Sequence, residues 1–140
     1  MTADDRYDSL IQWYAAEHDI DQWQLLKAQV KRESSFNPIA LSGAGAMGLA
    51  QFMRPTFDEW ALKLRIRIAN PYNPEHSLQC QAAYMRWLLD QFANNKDRAF
   101  GAYNFGVGHE QRHDPWPTET VNYVRDIRKF FTEYVPNGTW

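Results

Sequence analysis

One cysteine, Cys80, stands in a chain of 140 residues, so an internal disulfide is impossible and a disulfide-stapled scaffold is excluded. Excess positive charge is missing too: the formal net charge is -2, with acidic and basic residues mixed along the chain. A protein that coats a polyanion carries a basic footprint, so nucleic acid is not an expected partner. No run approaches the roughly 20 apolar residues that cross a bilayer, and stable membrane insertion is not expected. The start, MTADDRYDSL, has no basic segment followed by an apolar one. No signal peptide is read there, and synthesis in a cytoplasm is expected. Repeats, low-complexity tracts and long linkers are also lacking, which leaves residues 1–140 as one expected domain with one core.

What is present is aromatic and helical. Aromatic residues make up 15% of the chain, a surplus whose flat faces suit bases or sugar rings. Tyr7, Leu10, Ile11 and Tyr14 recur at helical spacing, and Trp23, Leu26 and Val30 form the stripe of a second helix that Asp19 or Asp21 can cap. A Gly-rich connection follows over about 34–47. Pro55 suits the first turn of a helix through TFDEWALKL. Asn73-Pro74 is a cap and first-turn proline opening a helix with Leu78, Ala82, Met85, Leu89 and Phe92 on one face. Cys80, inside that pattern, reads as a small buried hydrophobe.

DRAFGAYNFG reads as a short helix stopped by Gly106. Pro117-Thr118-Glu119 starts the last long helix, with Val121, Val124, Ile127, Arg128 and Phe131 near one face, ending before Pro136. The alternation in KLRIRI leaves a short strand open. The fold class expected is all-α and compact, with little or no β.

Glu33 is the residue that fits this plan least. It lies three residues after Val30 and seven after Leu26, so it continues a buried stripe, and it sits at the negative end of its own helix. Both features disfavour the ionised carboxylate, which is what a general acid working near neutral pH requires. The bland alternative is a carboxylate fanning out from a fraying helix end. Gly43, Gly45 and Gly48 follow and permit positive φ and close approach of a ligand or backbone. Gln51 adds an amide able to bond an acetamido group or a hydroxyl.

Together, ESSFNPIALSGAGAMGLAQFM resembles the signature of the lytic transglycosylase SLT domain, within the lysozyme-like superfamily. That signature runs E-S-x-x-N-P, then S-x-x-G-A-x-G-L-M-Q. AYNFG is similar to the family's A-Y-N-A-G, ETVNYV to its E-T-x-x-Y-V, and NPEHSLQCQAAYM more weakly to the segment between them. The ordered motifs span about 31–124, and the motif-bearing part of the domain is placed at about 22–134.

The resemblance implies a lysozyme-like helical domain with a substrate cleft. It assigns Glu33 as the sole catalytic acid and Tyr103 as the tyrosine near it, able to donate to Glu33 or to a substrate acetamido carbonyl. Ser42, Gln51 and Met53 fall on cleft-lining positions, and Glu119 on a buried carboxylate that holds the cleft together. Asn104 belongs to the same substrate-binding group, though as a helix-end residue holding backbone. Ala50, Met47, Phe105 and Gln81 depart from the pattern and alter the floor and rim of the cleft.

The reaction implied is cleavage of the bond between N-acetylmuramic acid and N-acetylglucosamine in bacterial peptidoglycan, forming a 1,6-anhydro ring without water. No cofactor is expected, and a monomer is. Three other readings stay open: a hydrolytic, goose-type-like lysozyme, a catalytically silent wall-binding or structural module, and a chitin-active enzyme with a related helical core. The expected source is a phage, whose enzyme reaches the wall through a membrane pore or on a virion. A domain of a larger bacterial protein is the alternative.

Other signals are set aside. His109 and His113 are four apart, but Gly106, Gly108 and Pro115 argue against a helix there and no third ligand stands out, so no metal is expected. Lys63, Arg65 and Arg67 read as a solvated face. Asn137-Gly138-Thr139 has meaning as a sequon only along a secretory route.

Overall fold

The computed structural model describes residues 3–140; Met1 and Thr2, which open the expected 1–140 domain, lie outside the described residues. Seven α-helices account for most of it: α1 (Asp8–Glu17), α2 (Gln24–Ser34), α3 (Arg54–Lys63), α4 (Pro74–Gln91), α5 (Lys96–Phe105), α6 (Val107–Gln111) and α7 (Thr118–Tyr134). The only bridges among the described residues are the isolated pairs Leu41–Met47 and Met47–Phe52. The all-α expectation therefore holds.

Local chemistry explains most boundaries. Asn73 accepts the backbone N–H of His76 and Pro74 takes the first turn of α4, satisfying donors that a helix start leaves orphaned. Asn95 does the same for Arg98 at the head of α5, and Gly106, at φ 114°, stops that helix. Neither Asp19 nor Asp21 caps α2: the helix begins three residues beyond Asp21, after Trp23, and has no side-chain cap. KLRIRI is not a strand. Arg65 and Ile68 take left-handed φ of 58° and 51°, which breaks the extended geometry that the alternation suggested.

Two corrections concern helical phase. In α7 the buried face is Thr120, Tyr123, Val124, Ile127 and Phe131. Val121 is 47% exposed and Arg128 pairs with Asp97 at the surface. Past Gly106 a five-residue helix does form, because Gly106 and Gly108 accept from Glu110 and Arg112 and so close short turns.

The main core is built from α1, α2, α4, α5 and α7, with Ile11, Leu26, Leu88, Phe100, Ile127 and Phe131 almost wholly buried. Each such side chain contributes roughly 1.5–3 kcal/mol by leaving water. A second cluster joins Phe52, Phe57, Trp60 and Ala61 to Cys80 and Ala83 of α4. Cys80 is the buried hydrophobe expected, its thiol pushed up to about 12 by burial. The ends of α2 and α5, the start of α7 and the loop over 35–53 converge beside the seam between the two clusters.

Candidate active site

Glu33 is the penultimate residue of α2. The helix is ended by Ser35 and Phe36, both left-handed at φ 51° and 63°, and the Phe36 ring plugs the main core. The chain therefore reverses immediately after the acid. Ser34 ties the reversal down by donating its hydroxyl to the Leu49 carbonyl at 2.8 Å.

The loop that follows is held by backbone more than by side chains. Gly48 N–H donates to Ala40 O at 2.8 Å. Ser42 closes a turn, its Oγ accepting from Ala46 N–H at 2.9 Å. Glycine is required at Gly48: φ is 78°, and a Cβ there would lie 2.0 Å from the Pro71 carbonyl oxygen. Gly45 also takes positive φ, while Gly43 does not and has open space around it. Buried Ser77 accepts from Ala50 N–H at 3.1 Å, fixing the loop to α4.

This framework walls a hollow of about 370 Å³ lined by Glu33, Ser42, Gln51, Met53, Tyr103, Asn104 and Glu119, all seven residues singled out from the sequence, with Arg32, Ala44 and Ala46. A second hollow of about 200 Å³ shares Gln51, Met53, Tyr103 and Asn104 and continues past Phe52, Tyr84 and Phe105. The two form one trough with Glu33 at one end.

Burial is the largest influence on Glu33 and pushes its carboxyl from 4.5 up to about 8. A hydrogen bond from Tyr123 and the charge of Arg32 pull the other way, and Glu119 adds an upward push. The Arg32 guanidinium is itself paired with Asp126 at 3.0 Å. A partly exposed carboxyl protonated near neutral pH, on the wall of a trough, can give its proton to a ligand lying there.

Several expected contacts fall out differently. Tyr103 does not bond Glu33; its hydroxyl donates to the Ala50 carbonyl at 2.8 Å, and its ring packs on Phe52 and Tyr84. The tyrosine on the acid is Tyr123, whose hydroxyl donates to Glu33 Oε2 at 2.8 Å. Glu119 is exposed rather than buried, because the first turn of α7 opens onto the trough. Gln51 turns its amide N–H groups inward, to Gly48 O at 2.9 Å and Ala40 O at 3.2 Å. Asn104 accepts from the Thr120 hydroxyl at 2.8 Å and so joins α5 to α7 rather than holding backbone. His109 stacks on Phe105 and bonds Asp114 at 2.9 Å. No metal-binding group of three His, Cys, Asp or Glu occurs among the described residues.

Tyr123 and its buried neighbour Gln29 were missed from the sequence. The signals were there: Tyr123 is the tyrosine of ETVNYV, and Gln29 lies three residues after Leu26 and four before Glu33 on the same stripe.

Residues 10–116 match the model of the Transglycosylase SLT domain family. The membrane-bound lytic murein transglycosylase F of Histophilus somni (strain 129Pt) is 34% identical over 110 residues, covering 74% of this chain and 21% of that protein. Its counterpart in Haemophilus influenzae (strain PittEE) is 30% identical over the same shares. The chain thus spans about a fifth of the length of the curated relatives it matches. Among solved structures, the 70 kDa soluble lytic transglycosylase of Escherichia coli superposes with a TM-score of 0.82 at 25% identity, over 91% of this chain and 24% of that one. An inactive mutant of the lytic transglycosylase Slt from Pseudomonas aeruginosa gives 0.85 at 23% identity, over 96% and 25%.

Proposed function

The chain belongs to the transglycosylase SLT domain family, and on that premise we propose that it is a peptidoglycan lytic transglycosylase in which Glu33 serves as both acid and base. The observation that carries this reading is the position of the half-buried Glu33 carboxyl, held above the usual carboxylate range by burial, on the wall of a hollow of about 370 Å³. In the proposed reaction Glu33 gives its proton to the oxygen between N-acetylmuramic acid and N-acetylglucosamine. The C1–O4 bond breaks, and the 2-acetamido group stabilises the cationic C1. The muramic acid 6-hydroxyl then attacks C1 and returns its proton to Glu33, closing the 1,6-anhydro ring. Atoms and protons balance without water, and no second carboxylate is needed, unlike the usual paired-carboxylate glycosidase.

The thin loop over 40–48 supports this reading, since a glycan strand needs a floor with few projecting side chains. Met53, 45% exposed, and Gln51, with its amide oxygen left for a ligand, fit the cleft lining. Residues 1–140 are read as one catalytic domain, with its motif-bearing part at about 22–134, acting as a monomer. We read host-wall lysis or penetration by a phage as the biological role. Its test is expression in a bacterial cytoplasm with and without a pore-forming partner; lysis that does not depend on the pore sinks it.

Digestion of purified peptidoglycan, read by mass spectrometry with Glu33→Gln alongside, tests the activity. Anhydro-muramic ends made by the wild type and absent with the variant are the expected result. Reducing ends would make the protein a hydrolytic lysozyme, with Glu119 placed to hold the water. No product from the wild type would reject catalysis.

A further inference from the structure

We propose that two buried glutamines, Gln81 of α4 and Gln29 of α2, act through Tyr123 to decide which oxygen of Glu33 carries the acidic proton. The inference deepens the reading of Glu33 as a general acid and rests on it. Both glutamines are fully buried, and each bond in the series has one allowed direction.

The series starts at the Leu26 carbonyl, which can only accept. Gln81 Nε2 donates to it at 3.2 Å and, with its other hydrogen, to Gln29 Oε1 at 2.8 Å. That fixes Gln29 with its nitrogen facing the other way, where Nε2 donates to the Tyr123 hydroxyl oxygen at 2.9 Å and to Met85 Sδ at 3.7 Å. Inverting Gln29 would set two donors face to face at Gln81, and inverting Gln81 would set two acceptors face to face at Leu26. The Tyr123 oxygen is thus an acceptor toward Gln29, and its one hydrogen points to Glu33 Oε2 at 2.8 Å. In a protonated carboxyl the carbonyl oxygen is the stronger acceptor, so the oxygen that takes the Tyr123 hydrogen is the unprotonated one. The acidic proton is left on Oε1.

Gln81 carries a mark of this role. Its Oε1 is buried with no hydrogen-bond partner, a penalty that a hydrocarbon side chain of the same length would not incur. The donor end of the amide is what justifies keeping it. Gln29 and Gln81 are positioning residues and touch no substrate.

Replacing Gln81 by Met frees Gln29 to turn its oxygen toward Tyr123. The tyrosine then donates to Gln29, and Oε2 loses its donor. The other titratable and charged groups around Glu33 are untouched: Arg32 on its own helix with Asp126 of α7, Glu119 on α7, and Tyr103 on α5. Tyr123 favours the ionised form of Glu33, so losing its bond raises the pH at which the acid ionises.

The test is a carbon-13 titration of the Glu33 carboxyl, with pH–rate profiles on peptidoglycan, for wild type, Gln81→Met, Gln29→Met, Tyr123→Phe and Gln81→Met/Tyr123→Phe. Gln29→Met, which gives Tyr123 no rival acceptor, is expected to leave the Glu33 midpoint near its wild-type value, whereas Gln81→Met is expected to raise the midpoint and the alkaline limb of kcat/KM by roughly half to one pH unit. The kcat of Gln81→Met is expected to fall about 3- to 10-fold with KM unchanged. The double variant is expected to titrate as Tyr123→Phe does, because the glutamines act only through that hydroxyl. An unmoved midpoint in Gln81→Met, an equal rise in Gln29→Met, or an added shift in the double variant would overturn the relay. Gln81→Leu, which also removes the donor to Gln29, carries the test if Gln81→Met does not fold. The titration needs no substrate, so shifts seen without any cleavage by the wild type would reject the proposed activity and leave the relay standing.

Discussion

Glu33→Gln should make the protein more stable, and increasingly so as pH rises. Burial raises the Glu33 carboxyl from 4.5 to about 8 in the folded chain. Below pH 4.5 both folded and unfolded forms hold the proton, and the residue costs nothing by ionisation. Above it the unfolded chain releases the proton while the folded chain keeps it. Stability then falls by about 1.4 kcal/mol per pH unit until the folded carboxyl also ionises near 8. Integrated from pH 5 to pH 8, the loss is about 3.5 kcal/mol, a large share of a total stability of roughly 5–15 kcal/mol. Gln cannot ionise, so the variant escapes the loss while still accepting the Tyr123 bond. Urea unfolding of both proteins, followed by tryptophan fluorescence at unit steps of pH, isolates the effect because every other titrating group is shared. A stability difference that stays constant from pH 5 to pH 8 would refute the claim that Glu33 is held protonated, and with it the general-acid argument.

Gly48→Ala should cost about 2 kcal/mol or more in the same assay, since its Cβ would strike the Pro71 carbonyl at a backbone φ of 78°; a cost below about 0.5 kcal/mol would show that the loop is not pressed against that turn. Tyr103→Phe leaves the Ala50 carbonyl without its partner and should cost about 1–2 kcal/mol without moving the alkaline limb of activity; a moved limb would mean that its hydroxyl reaches Glu33 in solution. Lys27→Met breaks bonds of 2.9 Å to Asp5 and 3.0 Å to Asp8 and should destabilise the fold by roughly 2 kcal/mol; an unchanged urea midpoint would show that this ion cluster contributes no net stability.

The acid and its loop were legible because their chemistry is local. A carboxylate on the apolar stripe of α2 followed by a side-chain-poor segment is visible in one dimension, as are Asn73-Pro74 and the Gly106 stop. The partner of the acid was not. In α7, Val121 and the long stem of Arg128 are as apolar in sequence as the true inner face, and they pull the expected phase toward them. Only packing against α2 turns Tyr123 inward. Gln29 and Lys27 share a difficulty of another kind. Polar side chains on a buried stripe look like errors until their partners are known, and those partners come from α4, α7 and residues near the N-terminus. Glu119 shows the converse: a pattern implied burial, but the first turn of a helix facing a trough stays wet.

The acid and the tyrosine that orients it are 90 residues apart along the chain. Closing a segment of that length is among the slower events in the folding of a small helical domain, because loop entropy is lost before any contact repays it. Helices α1 to α5 can each form from nearby residues and still leave Glu33 without its partner. During refolding, cutting activity should therefore lag behind the recovery of helical signal and rise together with the docking of α7. Competence for catalysis becomes a clock on the last long-range contact, and a chain interrupted before that contact carries its acid unarmed.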